Sequence, residues 1–79
     1  MKLHIITRAG NQEYTIEWLE IESQRGSLII QQGHAPILCS LKAFSSIKFL
    51  QAGLIEERAI VRGFMQSNRD SITLLLVAQ

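Results

Sequence analysis

The residues best suited to bind a metal are two histidines, His4 and His34, and a single cysteine, Cys39. A zinc site needs three or four such ligands that converge on one ion, usually from short and recognisable spacings. His4 is far from the other two in the sequence, and His34 and Cys39 lack the spacing of a zinc knuckle. We therefore expect these three residues to be unrelated, with no metal and no other cofactor.

The other residue types with chemical potential do not form a catalytic pattern either. Cys39 follows Pro36-Ile37-Leu38 and has no second cysteine to pair with, which indicates a small buried apolar residue in a reducing compartment. The five glycines are isolated, so none belongs to a phosphate-binding loop. A Ser-His-Asp triad is recognised by geometry rather than spacing. The acidic residues fall in turns or on alternating polar positions, where carboxylates are ordinarily solvated. We expect a protein that is not an enzyme.

One loop remains as a candidate functional element, Gln31-Gln32-Gly33-His34-Ala35-Pro36. Its glycine frees the backbone, its histidine offers an imidazole, and its proline stiffens the exit. Such a loop serves either as a contact element for a partner or simply as a good turn, and the residues alone favour neither.

Size and composition narrow the class of protein. With 79 residues the chain forms one domain, 1–79, and its 47% hydrophobic and 19% charged residues favour a packed core over disorder. A net charge of +1 without runs of like charge argues against nucleic acid binding. No apolar stretch approaches the roughly 20 residues of a membrane span, so we expect a soluble intracellular protein. Because so short a chain buries only about 60% of its surface, a subunit of a complex is more plausible than a free-standing protein.

Short apolar runs separated by turn residues predict an all-β chain. This spacing of seven or eight apolar runs is typical of a single small β-sandwich or flattened barrel. We expect such a fold to contain about eight to ten short strands. The alternation slips at Trp18-Leu19 within the run from Tyr14 to Ser23, which predicts a β-bulge there. The run from Ser71 to Val77 is apolar on both faces, which predicts a strand covered on both sides. The predicted strands are Lys2–Thr7, Tyr14–Ser23, Leu28–Ile30, Pro36–Leu41, Ser46–Gln51, Leu54–Arg62, Phe64–Ser67 and Ser71–Val77.

Four sequence stretches carry a resemblance to a known family. Gly33-His34-Ala35-Pro36-Ile37-Leu38 resembles the Pro-Gly-His-Ala-Pro-Leu signature of the ATP synthase ε subunit's N-terminal β-sandwich. Three further matches occur in the family's order along the whole chain: Arg25-Gly26-Ser27-Leu28, Gly63-Phe64-Met65, and the run from Asn68 to Val77.

This chain also departs from the family pattern. Gln32 replaces the proline of the signature, Arg62 replaces the first glycine of Gly-Gly-Phe, and Lys42-Ala43-Phe44 lacks the usual Pro-Gly turn. The sequence ends at Val77-Ala78-Gln79, where typical members continue into a C-terminal helical hairpin. The regulatory switch and the ATP-binding motif of that hairpin are therefore not implied for this chain.

The resemblance implies a non-catalytic subunit of the central stalk, peripheral to the cytoplasmic face of an energy-transducing membrane. Such a subunit binds the γ subunit along one flank and presents loops to the polar loops of the c ring, coupling rotation to ATP synthesis and proton transport. The interface positions implied here are Gly33, His34 and Ala35, with Arg25 and Ser27 facing the ring.

Two of these assignments keep a structural alternative. Arg62 either contacts γ or is simply an exposed arginine, and His34 is either an interface residue or a loop histidine bonded to its own turn. The family often has an acidic contact near Ser27, and here Arg25 would remove or reverse any ion pair. An alternative function is a free-standing adaptor or homo-oligomer that pairs through an exposed edge strand. A position of the run from Ser71 to Val77 at a sheet edge would favour this alternative, and a position covered on both faces would favour the stalk subunit.

Overall fold

The structure is a computed structural model that describes residues 1–78, and it consists of β-strands joined by short turns. Eight strands follow one another along the chain, as the alternating pattern predicts. They are β1 (Lys2–Thr7), β2 (Gly10–Thr15), β3 (Trp18–Ser23), β4 (Gly26–Gln31), β5 (Ile37–Ser40), β6 (Ser45–Gln51), β7 (Leu54–Ser67) and β8 (Ser71–Ala78).

The strands form one continuous sheet that folds back on itself into a small sandwich. Their order is β2-β1-β8-β7-β6-β3-β4, and β5 pairs with β7 beside that path. All neighbours are antiparallel except β1 and β8, which are parallel. The first layer contains β2, β1, β8, the second half of β7, and β5; the second layer contains the first half of β7 with β6, β3 and β4.

Strand β7 joins the two layers because it is long and irregular in its middle. Its first half pairs with β6 from Leu54 to Ile60, and its second half pairs with β8 and β5. The register with β8 shifts between Ile60 and Arg62, so Val61 is the extra residue of a β-bulge. A bulge bends a strand and increases its twist, which lets one strand serve both layers.

The core lies between the layers and is built from the inward residues of both. Its members are aliphatic apart from Phe49 and Met65, and Phe49 is fully buried. The ring of Tyr14, from β2 in the first layer, lies 5.0 Å from the ring of Phe49 in the second layer and covers one side of the core. The buried residues are Leu3, Ile5, Ile16, Leu19, Ile21, Ile30, Leu41, Ile47, Phe49, Ile60, Met65, Ile72, Leu74 and Leu76.

The predicted fold class is confirmed, but two strand assignments were wrong. Tyr14–Ser23 is not one bulged strand, because the chain passes from the first layer to the second at Ile16 and Glu17. There the Ile16 amide donates to the Met1 carbonyl and the Glu17 amide donates to the Leu50 carbonyl. Conversely, the separate strands predicted on either side of Gly63 form one strand, β7, and the bulge falls within it.

Candidate partner-binding surface

The clearest candidate for a binding surface is an apolar patch on the outer face of the first layer. Ile6 of β1 and Phe64 of β7 both pair with Leu75 of β8, so three adjacent strands place these side chains side by side. Val77, two residues after Leu75, lies on the same face. Leu75 is 49% exposed, Val77 44% and Phe64 38%. We call Ile6, Phe64, Leu75 and Val77 the outer-face patch.

Two arginines border the outer-face patch. Arg62 pairs with Val77 across the strands, and Arg8 follows the end of β1; both are exposed and line the same shallow depression. Thr7, Ser40 and the backbone of Gly63 complete its walls, and no carboxylate is among the described residues that line it. A partner that fits this surface would present apolar side chains with carboxylates at the periphery.

The β-bulge at Val61 accounts for the position of Arg62. Ile60 is buried, and regular alternation would turn residue 62 inward as well. The extra residue reverses this alternation, so Arg62 and Phe64 face outward while Gly63 and Met65 face inward. Met65 then enters the core, and Arg62 lies at the border of the outer-face patch.

The outer face of the second layer has a different character. Glu20 pairs with Lys48, and Lys48 pairs with Glu57, which gives a row of alternating charge across β3, β6 and β7. Charged rows of this kind are stable in water without a partner. Ile29 and Ile55 on this layer are also exposed, at 57% and 63%, but charged residues lie beside them: Ile29 pairs with Glu20, and Ile55 lies two residues before Glu57. The outer-face patch is apolar across three adjacent strands, and a partner that covers it would remove that surface from water.

The loop that contains Gly33, His34 and Ala35 is held against the turn between β7 and β8. The Gly33 amide donates to the Arg69 carbonyl at 2.8 Å, and the Arg69 guanidinium donates to the Gly33 carbonyl at 3.1 Å. Gly33 has φ 87°, a conformation that favours glycine. His34 Nδ1 lies 2.8 Å from the Ala35 carbonyl oxygen, and the His34 amide donates to the Gln31 carbonyl. The imidazole is thus held locally, at a fixed position on a rigid loop.

Arg25 and Ser27 lie at the opposite end of β4 from this loop. Arg25 is exposed in the two-residue turn between β3 and β4, and Ser27 Oγ donates to the Glu22 carboxylate at 2.7 Å. The effect of Arg25 on an ion pair with a partner near Ser27 stays a prediction. Glu22 pairs with Ser27 on the adjacent strand and supplies the carboxylate.

The six candidate residues therefore lie in three separate places. Along β4, Ser27 lies roughly 13 Å from Gln31, where the loop of Gly33 begins, at about 3.3 Å per residue. Arg62 borders the outer-face patch on the first layer, whereas β4 is the end strand of the second layer. The sequence interpretation missed Ile6, Phe64, Leu75 and Val77. A sequence feature that pointed to this surface was the apolar character of both faces of residues 71–77, which predicted a strand covered on both sides. In the isolated chain one of these two faces, which carries Leu75 and Val77, is exposed.

The described residues contain no cluster of metal-ligating side chains. Among residues 1–78, no group of three His, Cys, Asp or Glu side chains converges on a point that could hold an ion. Every buried side-chain nitrogen and oxygen in this part of the chain has a hydrogen-bond partner. Burial raises the pKa of the Cys39 thiol, which is the opposite of the shift that activates a nucleophile. No helix within residues 1–78 has the length and hydropathy to span a membrane.

The fold and the outer-face patch together define a small β-sandwich with an exposed apolar patch on the outer face of its first layer. No protein-family model and no curated protein sequence matches the chain. Solved structures do share its fold. One chain of the Tetrahymena thermophila mitochondrial ATP synthase, from a cryo-EM structure of the central stalk and c ring, superposes with a TM-score of 0.82 over 98% of this chain at 12% identity.

A second similar structure comes from the Euglena gracilis mitochondrial ATP synthase, in a complex of OSCP, F1 and the c ring. One of its chains superposes with a TM-score of 0.86 over 95% of this chain at 16% identity. The present chain spans 63% of the Tetrahymena chain and 49% of the Euglena chain. The resemblance to the ε-type β-sandwich is thus confirmed at the level of the fold.

Proposed function

We propose that this chain is a non-catalytic central-stalk component of an F-type ATP synthase, which binds the γ subunit through the outer-face patch. The observation that carries the proposal is an exposed apolar face on a sandwich whose fold recurs in ATP synthase assemblies. The chain would be a peripheral part of the membrane-associated complex, on the cytoplasmic face, and would couple rotation to ATP synthesis and proton transport.

The physical properties of the patch suit a permanent subunit contact. Phe64, Leu75 and Val77 are held on neighbouring strands of a sheet, so little conformational entropy is lost when they bind. Arg8 and Arg62 at the border would contribute orientation and salt dependence, since charges at a rim affect association rates more than affinity. Under this proposal Arg62 contacts γ and is more than an exposed surface residue.

The loop of Gly33, His34 and Ala35 and the turn of Arg25 and Ser27 are proposed as the remaining contacts, with γ or with the polar loops of the c ring. Both are short and held by hydrogen bonds. They offer fixed positions, as a component that transmits torque requires. Because β4 separates them, they would meet different parts of the assembly.

The alternative function, a self-pairing adaptor, loses one feature that would have favoured it. Residues 71–77 do not form a sheet edge, because β8 lies between β1 and β7 and is paired on both sides. The uncovered part of β8 is one face, which suits a docking partner rather than the addition of a strand.

The test is a calorimetric titration of the chain with the cognate γ subunit. We expect a stoichiometric complex with a negative heat-capacity change, which reports apolar burial. Leu75→Asp and Phe64→Glu should weaken binding at least tenfold, because each buries an unpaired carboxylate in the contact. Arg62→Gly should weaken it less and reduce its dependence on salt.

A matched control is Ile55→Asp, which also introduces a carboxylate at an exposed aliphatic position, but on the second layer. This variant should bind γ like the parent chain. Absence of binding by a well-folded chain, or equal losses for Leu75→Asp and Ile55→Asp, would contradict the assignment of γ to the outer-face patch.

A further inference from the structure

A separate feature of the sandwich is its open side between β4 and β5. Each of these strands has a neighbour on one side only within the described chain: β4 pairs with β3, and β5 pairs with β7. Between them lies a groove lined by residues of the β3–β4 turn, the start of β4, and β5. The groove exposes two free strand edges to solvent, one from each layer.

The alternation of hydrogen-bonded and non-hydrogen-bonded residue pairs in the β3–β4 hairpin shows which backbone groups of β4 face the groove. The two-residue turn of Gln24 and Arg25 closes on the pair Ser23 and Gly26, and such a closing pair is hydrogen-bonded. Because hydrogen-bonded pairs recur at every second residue of a strand, the backbone groups of Leu28 and Ile30 also point to β3. The N–H and C=O groups of Ser27 and Ile29 therefore point to the free edge.

The same argument applies to β5. The Leu41 amide donates to the Gly63 carbonyl of β7, and the Ile37 amide donates to Ser67 Oγ, which also belongs to β7. The alternate residues, Leu38 and Ser40, therefore direct their backbone groups away from β7. Within residues 1–78, no turn or loop group bonds to the backbone of Ser27, Ile29, Leu38 or Ser40.

The free edge of β4 lacks the features by which proteins protect exposed strands. Its sequence, Gly26 to Gln31, has no proline and no charged residue. By contrast, the end strand of the first layer, β2, is polar and carries Glu13, and β5 is only four residues long and follows Pro36. Charge, proline and short length each discourage pairing with another strand. Of these three edges, β4 is the one open to an added strand.

The floor of the groove is apolar and its one charged residue is basic. Leu28, Ile37 and Cys39 are partly buried and pack against the core from beneath the two edges. Arg25 is the only charged side chain among the lining residues, and no carboxylate of residues 1–78 forms an ion pair with it. An occupant would thus combine apolar side chains with a carboxylate at one end.

We propose that the groove between β4 and β5 binds an extended segment of a partner protein, which adds to the free edge of β4 as an antiparallel strand. Its backbone bonds with Ser27 and Ile29, its alternate apolar side chains rest on Leu28, Ile37 and Cys39, and a carboxylate near its C-terminal end lies beside Arg25. This surface is distinct from the outer-face patch, and the proposal does not depend on the stalk function.

The probe for the test is the synthetic peptide acetyl-Thr-Val-Thr-Val-Thr-Asp-amide, titrated into the isotope-labelled chain and followed by amide NMR. We expect shifts at Ser27 and Ile29, slower hydrogen exchange of those two amides, and slower alkylation of Cys39 by iodoacetamide. The same peptide with Lys in place of Asp should bind about fivefold more weakly at low salt, and Arg25→Gln should reduce that difference.

The matched variants are Ile29→Pro and Ile29→Thr. Proline removes an N–H that points to the free edge, so pairing with β3 is retained while an added strand loses a hydrogen bond. We expect Ile29→Pro to keep the parent's circular dichroism and to bind at least tenfold more weakly. Ile29→Thr keeps the N–H and should bind like the parent chain.

Three results would overturn the proposal. The first is the absence of shifts at Ser27 and Ile29 at millimolar peptide, and the second is equal binding by Ile29→Pro and Ile29→Thr. The third is a dimer, detected by analytical ultracentrifugation of the chain alone, that Ile29→Pro abolishes. That dimer would assign the edge of β4 to a second copy instead of a partner's extended segment.

Discussion

Gly63 and Leu76 face each other across β7 and β8 at a distance that leaves no room for a side chain on residue 63. A Cβ atom added to Gly63 would lie 2.6 Å from Leu76 Cδ2 and 3.1 Å from both Leu41 Cδ1 and the Leu75 carbonyl oxygen. The glycine therefore lets the strands that carry the outer-face patch approach closely over a filled core.

We expect Gly63→Ala to destabilise the fold by about 1–3 kcal/mol, because the added methyl group overpacks a closed site. Urea unfolding followed by circular dichroism measures this change. Leu76→Ala removes the nearest contact and should by itself cost about 2–5 kcal/mol. In the double variant the two costs should be less than additive, since the cavity at residue 76 accommodates the new methyl group. Additive costs would show that the contact with Leu76 does not cause the destabilisation.

The turn between β6 and β7 contains a residue in an unfavourable backbone conformation. Ala52 has φ 50° and Gly53 has φ 78°, the combination of a type I′ hairpin turn. Ala52→Asn creates the preferred Asn-Gly pair and should stabilise the protein by about 0.5–1 kcal/mol. Each kcal/mol raises Tm by about 4–8 °C in a domain of this size, so calorimetry resolves the effect.

Ala9→Asn is the control for this substitution, since Ala9 is an exposed hairpin-turn residue outside the set with positive φ. It should leave Tm unchanged or lower it slightly. Equal gains at both positions would mean that the gain at Ala52 does not come from backbone conformation.

The turn between β7 and β8 depends on one amide side chain. Asn68 Oδ1 accepts hydrogen bonds from the Asp70 amide at 2.9 Å, the Ser71 amide at 2.8 Å and the Ser71 hydroxyl at 3.1 Å. Asn68→Ala removes all three and should destabilise the fold by about 1–2 kcal/mol. Because Arg69 in this turn bonds to Gly33, the NMR signals of the loop around His34 should shift as well.

Asn68→Asp keeps an acceptor oxygen at the same place and should restore most of this stability. Asn11→Ala removes an exposed amide from edge strand β2 and should be nearly neutral. If Asn68→Ala and Asn11→Ala unfold at the same urea concentration, the hydrogen bonds to Asn68 do not stabilise the turn.

Burial raises the pKa of the Cys39 thiol in the folded chain. The free energy of unfolding should therefore depend on pH in the range where this thiol titrates. The folded thiol keeps its proton to a higher pH than the unfolded thiol. Its contribution to the free energy of unfolding is therefore fully present below the unfolded pKa, about 8.5, and is lost as pH rises through the folded-state pKa.

Urea unfolding measures the stability of the parent chain and of Cys39→Ala at pH 7 and at pH 10. The difference between the two chains in the stability lost over this range isolates the contribution of the thiol from that of other titrating groups. The parent should lose more stability than Cys39→Ala over this range. Alkylation of Cys39 by iodoacetamide at pH 8 should also be slower in the folded chain than in urea. Parallel stability profiles would show that the thiol titrates alike in both states.

Local patterns in the sequence were sufficient to predict the class of fold and several strands. Lys2–Thr7 and the hairpin of β6 and β7 follow from alternating residues bounded by turn residues, because the side-chain period of a strand is local. The loop of Gly33 and His34 was also recognisable, since glycine and proline restrict the backbone wherever they occur. The same locality explains the errors. Whether Tyr14–Ser23 is one bulged strand or two strands in different layers depends on partners elsewhere in the chain, namely Met1 and Leu50.

The sequence by itself thus determined an all-β chain with a small core, without the ligand spacings of a metal site, and with a recognisable loop around His34. Only the tertiary structure decided that Ile6, Phe64, Leu75 and Val77 form one surface and that Arg62 borders it. These residues come from the consecutive strands β7 and β8 and from β1, which is distant from them in sequence, and the bulge at Val61 turns Arg62 outward. Alternation tells which face a residue occupies, but strand order and register depend on packing of the whole chain.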